Sequence, residues 1–213
     1  MEAMEVAYQT PTGVSSAPGE HTWEIAGLFP LQGHWTESDF LSLPAPHRFE
    51  LSKGRLETLP MPNWVHALIV QYLSNAVDAF AKPRKLGRAV PAPLYVRLWE
   101  GEIRQPDVVF CFYERIVDRL KTQNGADLAI EVVSEGKENR ERDTVEKRKL
   151  YAQAGIREYW IVDPLEDRTI SVLALEGDTY RTSGVYKDGE STASLLLPGF
   201  SVDVQAVFAA AEE

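Results

Sequence analysis

Two acids stand where acids are costly. Glu131 sits at the centre of LAIEVV, a run whose other members are all apolar, and Asp107 opens VVFCF directly after Pro106. A buried carboxylate carries a large desolvation cost unless a cation or several donors meet it. Two such acids on neighbouring strands suit a hard cation such as Mg²⁺. A separate structural salt bridge for each is the alternative, and the residues by themselves leave both open. Strand alternation puts Glu131 on one face with Ala129 and Val133, and turns Ile130 and Val132 to the other. Lys147 follows Asp143 by four residues and precedes Tyr151 by four, so the three share a helical face. Spacing favours an exposed Asp143–Lys147 pair, which would contribute only about 0.3–0.5 kcal/mol. His66 shares a face with Val70, Leu73 and Val77, and is either a satisfied structural histidine or a group beside the acids. Glu50, between Phe49 and Leu51, is a weak candidate for the same interior.

The elements that must position these residues are legible in outline. Thr36 and Asp39 resemble a capping box ahead of a short helix ending near Leu43, stopped by Pro44 and Pro46. RFELSKGRLETLP reads as a hairpin turning at Lys53-Gly54. Residues 65–82 carry one broad apolar stripe and predict the longest helix. LYVRLW and IRQPDVVFCF read as two strands joined at Glu100-Gly101. Residues 114–121 suggest a short helix, and Asn124-Gly125 a turn. LAIEVVS is a buried strand, residues 138–154 a charged helix closed by Gly155, and EYWIVD and TISVLAL two further strands. A hairpin around Asp188-Gly189 and a short terminal helix complete the pattern. Early helix, central strands, a second helix and more strands suggest a mixed sheet flanked by helices.

Composition bounds the remaining possibilities. The 213 residues are 44% hydrophobic and 25% charged, ordinary for one globular domain. Residues 1–34 read as a flexible or loosely docked extension, and 35–213 as a single domain. The lone Cys111 makes neither an intramolecular disulfide nor a thiolate zinc site, and within VVFCF it reads as a small buried hydrophobe. No apolar stretch suits a membrane span and no signal-peptide pattern opens the chain, so cytoplasmic residence is the default expectation. The net charge of -10 argues against nonspecific adhesion to nucleic acid, so any DNA contact must come from local patches. Phosphate-binding glycine loops, nucleophile elbows and zinc-spaced His/Cys clusters are missing. Tyr159-Trp160 reads as core, and the mixed charges from Lys137 to Lys149 as a solvated, mildly positive face.

RQPDVVF, AIEVVS, DTVEKRKLY and GIREYWIVDP resemble the Uma-two family, a branch of the PD-(D/E)XK nuclease superfamily long catalogued as a domain of unknown function. The likeness runs from about Thr36 to Phe208 and takes in FELSKGRLETLPMP, His66 and LLPGFSVDV. It implies a restriction-endonuclease-like α/β fold with a central mixed sheet. Pro106-Asp107 matches the PD element, which implies that Asp107 is a metal ligand. Glu131 matches the second acid, with the Val132 carbonyl as a further ligand. The superfamily's usual lysine two residues later is Val133 here, and Lys147 stands where this branch supplies a lysine from the following helix. Glu50 matches the acid of a YEL-like element, and His66 a helix-start histidine. The implied activity is hydrolysis of DNA phosphodiester bonds with Mg²⁺ or Mn²⁺, catalysed by Asp107, Glu131 and Lys147 with help from Glu50 and His66. A homodimer would suit a cutter of two strands. The contrasting expectation, favoured by the acidic charge and by Val133, is a non-catalytic interaction or regulatory module on the same fold. Another phosphate-bearing substrate is a third.

Overall fold

The capping box forms as its residues dictate: the Thr36 hydroxyl accepts the Asp39 N–H, the Asp39 carboxylate accepts the Thr36 N–H, and α1 (Glu37–Ser42) follows. The computed structural model describes residues 29–43, 48–165 and 168–212. Residues 1–28 of the expected extension, and the helix stop at Pro44 and Pro46, lie outside the described residues. Next come β1 (Phe49–Ser52) and β2 (Arg55–Thr58), an antiparallel hairpin. Its turn residues Lys53 and Gly54 both have positive φ, 49° and 73°, the geometry that matches the twist of paired strands. Gly54 is required there, because a Cβ would lie 2.7 Å from the Gly33 carbonyl oxygen.

The long helix is α2 (Trp64–Ala81), capped by the Asn63 side chain on the His66 N–H. It is followed by β3 (Gly87–Pro91), β4 (Val96–Trp99) and β5 (Glu102–Arg104). The segment IRQPDVVFCF, expected as one strand, is two. β5 ends at Arg104, and β6 (Val108–Phe112) belongs to a different sheet. Pro106 has no N–H for a ladder, and the Gln105 N–H is diverted to the Glu50 carboxylate at 2.7 Å. Asp107 therefore sits at the junction of the two sheets.

The helix expected over 114–121 does not form beyond a 3₁₀ turn at Tyr113–Arg115. Val117 and Leu120 are exposed, so no apolar face supports a segment too short to be helical unaided. After β7 (Gln123–Asn124) and β8 (Leu128–Val132), the charged helix runs in three parts. These are α3 (Lys137–Glu141), a π-helical turn (Arg142–Glu146) and α4 (Lys147–Gln153). Strands β9 (Glu158–Asp163), β10 (Thr169–Glu176) and β11 (Thr179–Tyr186) follow, then α5 (Val204–Ala209). The late hairpin is displaced from its expected place: β10 and β11 pair across Gly177-Asp178. Beyond Gly189 the pairing is short: a Ser191–Asp203 bridge, with the Thr192 and Ser194 N–H groups donating to the Val202 and Phe200 carbonyls. After these the Leu195 and Leu196 N–H groups go to the buried Glu158 carboxylate.

One sheet has the order β2-β1-β5-β4-β7 and the other β11-β10-β9-β8-β6-β3, with β8 and β9 parallel. The second sheet is buried on both faces. Ile130 and Val132 pack with Ile69, Leu73 and Val77 of α2 and with Phe208 of α5. Ala129 and Val133 pack on the opposite side with Tyr151 and Tyr159. The alternation read from LAIEVV holds, and Glu131 points to the α3–α4 side. A smaller core of Trp35, Phe40, Leu51 and Ile103 lies on the first sheet. Among the described residues no helix is long and apolar enough to cross a membrane.

Candidate functional site

Four elements bring candidate side chains to one cleft: α2 carries His66, the sheet junction carries Asp107, the centre of β8 carries Glu131, and α4 opens with Lys147. Glu50, on β1, is fully buried behind Lys147 and does not line the cleft. The cleft measures about 780 Å³, and its walls include His66, Asp107, Glu131, Val132, Asp143 and Lys147. Lys147 is 2% exposed, which overturns the exposed ion pair that spacing favoured. The Asp143 pair exists, at 3.4 Å, but it is buried because this helical face docks on the sheet. The Lys147 Nζ also lies 2.9 Å from Glu131 Oε1 and 3.8 Å from Glu50 Oε1. The Tyr151 hydroxyl donates to Glu131 Oε1 at 2.6 Å.

Asp107 is held from another direction. Its Oδ2 accepts the Val132 N–H at 2.8 Å and lies 3.1 Å from His66 Nε2. The acid pair is therefore coupled through adjacent β8 residues, while Lys147 pairs with Glu131, Asp143 and Glu50 rather than with Asp107. Glu50 is fully enclosed: Oε1 accepts the Gln105 N–H and Oε2 accepts from Arg104 at 3.1 Å. Arg104 also pairs with Glu102 and Glu57.

Sequence reasoning missed three of these groups. Arg104 was signalled by Glu102 and Arg104 at a two-residue spacing on one strand, opposite the acids of the first hairpin. Asp143 and Tyr151 were seen only as neighbours of Lys147. A tyrosine continuing the Asp143–Lys147 stripe was the cue that this face turns inward.

Residues 37–205 match the model of the family Uma2, described as "Putative restriction endonuclease". The chain belongs to the Uma2 family. No curated protein matches this Uma2 chain. Among solved structures, it is similar to a crystal structure described as a putative nuclease belonging to DUF820 from Anabaena variabilis. The TM-score is 0.66 at 20% identity, covering 83% of this chain and 98% of that one. The likeness bears out the expected restriction-endonuclease-like α/β fold, with its sheets flanked by few helices.

The electrostatics of the Uma2 site are those of an acid surplus. Burial pushes the Glu131 carboxyl well above its ordinary range; Lys147 opposes this, and Asp107, Asp143 and Glu50 reinforce it. Burial likewise raises Asp143 against the pull of Lys147 and Arg142. Burial acts upward on Asp107 too, but the His66 contact, Lys147 and the Val132 N–H together hold it below the usual carboxylate range. Glu50 is lowered in the same way, with Lys147, Arg104 and the Gln105 N–H outweighing its burial. Lys147 keeps its proton: desolvation works against the charge, but Glu131, Glu50 and Asp143 raise its pKa beyond the ordinary lysine value.

Carboxylate oxygens are the donor type that a hard divalent cation takes. Among the described residues neither Asp107 Oδ1 nor Glu131 Oε2 takes a hydrogen bond, the partners of both acids falling on the other oxygen. Those residues contain no group of three or more His, Cys, Asp or Glu arranged to hold a metal. Mg²⁺ commonly binds through one or two carboxylates, completing its shell with water and substrate phosphate.

Proposed function

We propose that this chain is an endonuclease that hydrolyses phosphodiester bonds of DNA, with Mg²⁺ or Mn²⁺ held by Asp107, Glu131 and the Val132 carbonyl. The observation that carries the reading is the buried Lys147 ammonium, 2.9 Å from the carboxylate of Glu131 and in the same cleft as Asp107. The chemistry supplied by a cation at these oxygens is polarisation of the scissile phosphate and a lowered pKa for a bound water. The chain's own residues do the rest. Lys147, permanently charged, neutralises negative charge developing on the phosphorane. Tyr151 and Lys147 fix one oxygen of Glu131 and leave the other facing the cleft. His66 and the Val132 N–H do the same for Asp107. Glu50, both of whose oxygens are engaged, positions Lys147 by charge, and Arg104 anchors Glu50 in turn.

The test is incubation of the purified protein with supercoiled, linear duplex and single-stranded DNA in Mg²⁺ or Mn²⁺, alongside Asp107→Ala. Cleavage that Asp107→Ala abolishes supports the proposal. No cleavage of any substrate, together with no metal binding by calorimetry, overturns it. The net charge of -10 favours the second reading, a nuclease-like interaction module. On that reading, replacing Lys147 would leave the biological function untouched once folding is accounted for.

A further inference from the structure

Trp64, the first residue of α2, leaves 81% of its surface in solvent. Single exposed apolar residues are ordinary on protein surfaces, but this one lines the cleft that holds Asp107, Glu131 and Lys147. It stands two residues before His66, which touches Asp107. The two are roughly 3 Å apart along the helix axis but project from different sides of it, so they meet the cleft at separate points of its lining. Leu59, Pro60 and Pro62 form an apolar lip beside it. Arg48 lies on the same wall, its guanidinium bonded to the Pro60 carbonyl, and it pairs with no carboxylate among the described residues. The other cations of the cleft are already matched by acids: Arg88 by Asp78, Arg142 by Asp143, and Lys147 by Glu131.

This distribution separates two kinds of substrate. Gripping a long duplex requires many unneutralised cations on successive phosphates, and the cleft offers few in a chain of net charge -10. A single strand is also tracked along its backbone by cations, but stacking on an indole adds affinity that needs no charge and requires a base whose π-face is open, which a closed duplex does not offer. We propose that Trp64 is the stacking platform for an unpaired base next to the cleaved phosphate, with Arg48 meeting the adjoining backbone. The preferred substrate class is then single-stranded or locally unpaired DNA. The place of that base beside a cleaved phosphate rests on the nuclease reading; the stacking does not.

The test compares binding of a short fluorescein-labelled DNA strand and of its blunt duplex, by anisotropy in EDTA, to the full wild-type chain, Trp64→Ala and Trp64→Phe. Wild type should bind the strand more tightly than the duplex. Trp64→Ala should weaken strand binding by roughly 5- to 150-fold and leave duplex binding unchanged, while Trp64→Phe retains most of the affinity. Circular dichroism checks that both variants are folded, as expected for so exposed a side chain. Equal strand binding by wild type and Trp64→Ala overturns the proposal, as does preference for the duplex or no DNA binding at all. Loss of self-association in Trp64→Ala, with DNA binding intact, also overturns it, since the indole would then cover a second copy of the chain. Strand binding that depends on Trp64, with no cleavage in Mg²⁺ or Mn²⁺ and no metal binding by calorimetry, leaves stacking standing and removes the nuclease reading. Cleavage indifferent to Trp64 does the reverse.

Discussion

Replacing Lys147 by methionine keeps most of the side-chain volume and removes the charge. Lys147 is the cation nearest Glu131 and also pairs with Asp143 and Glu50, all three acids being buried. Stripping one partner from a buried ion pair costs about 3–5 kcal/mol because a desolvated charge is left unmatched. Against a total stability of about 5–15 kcal/mol this is a large fraction. For a domain of this size it corresponds to a fall in Tm of roughly 6–20 °C. One effect limits the loss: Glu131, already displaced upward, can take a proton in place of the ammonium. The deficit of Lys147→Met should therefore shrink toward about pH 5 and grow toward about pH 8. Adding Glu131→Gln removes the unmatched acid while leaving an oxygen for the Tyr151 hydroxyl, and should restore much of the lost stability. Thermal melts of wild type, both single variants and the double variant form a complete cycle. A Lys147→Met melt within about 2 °C of wild type at pH 8, or a double variant no more stable than Lys147→Met, refutes this role for the Lys147 charge.

Glu131→Gln alone should abolish cleavage and flatten the pH dependence of stability, read by melts across pH. A carboxyl whose folded pKa is raised contributes stability that is fully present below its ordinary value of 4.5 and is lost as pH rises through the folded value; an equal decline in wild type and variant on the alkaline side would exclude Glu131 as its source. On the acid side both should lose stability, because Glu50 and Asp107 are held low and must protonate. Gly54→Ala should destabilise by about 1–3 kcal/mol through a strained φ and a backbone clash with Gly33. Gly101→Ala, also at positive φ but with nothing within 4 Å, should cost about 1 kcal/mol in denaturant titration.

Local signals in the sequence match the structure where local chemistry decides it. The Thr36–Asp39 capping box, the Lys53-Gly54 turn, the stripe of α2 and the two-faced burial of β8 each depend on neighbours within a few residues. The same alternation turned Glu131 toward the α3–α4 side. The structure departs from the local signals where a partner elsewhere in the chain intervenes and, over 114–121, where no apolar face supports a helix. The run through Pro106 became two strands because Glu50 takes the Gln105 N–H. The late hairpin forms across Gly177-Asp178, and beyond Ser194 two N–H groups go to Glu158.

The candidate site divides along the same line. The sequence by itself established that Asp107 and Glu131 are acids in apolar strands, since desolvation cost can be read from immediate neighbours. It could not establish the place of Lys147, whose spacing from Asp143 suits an exposed pair as well as a buried one. Only the docking of α4 on β8 chose between them, bringing the ammonium to Glu131 across sixteen residues of chain and burying it there. Burial is a property of the packed whole, and it turns an ordinary helical ion pair into the charged centre of a site.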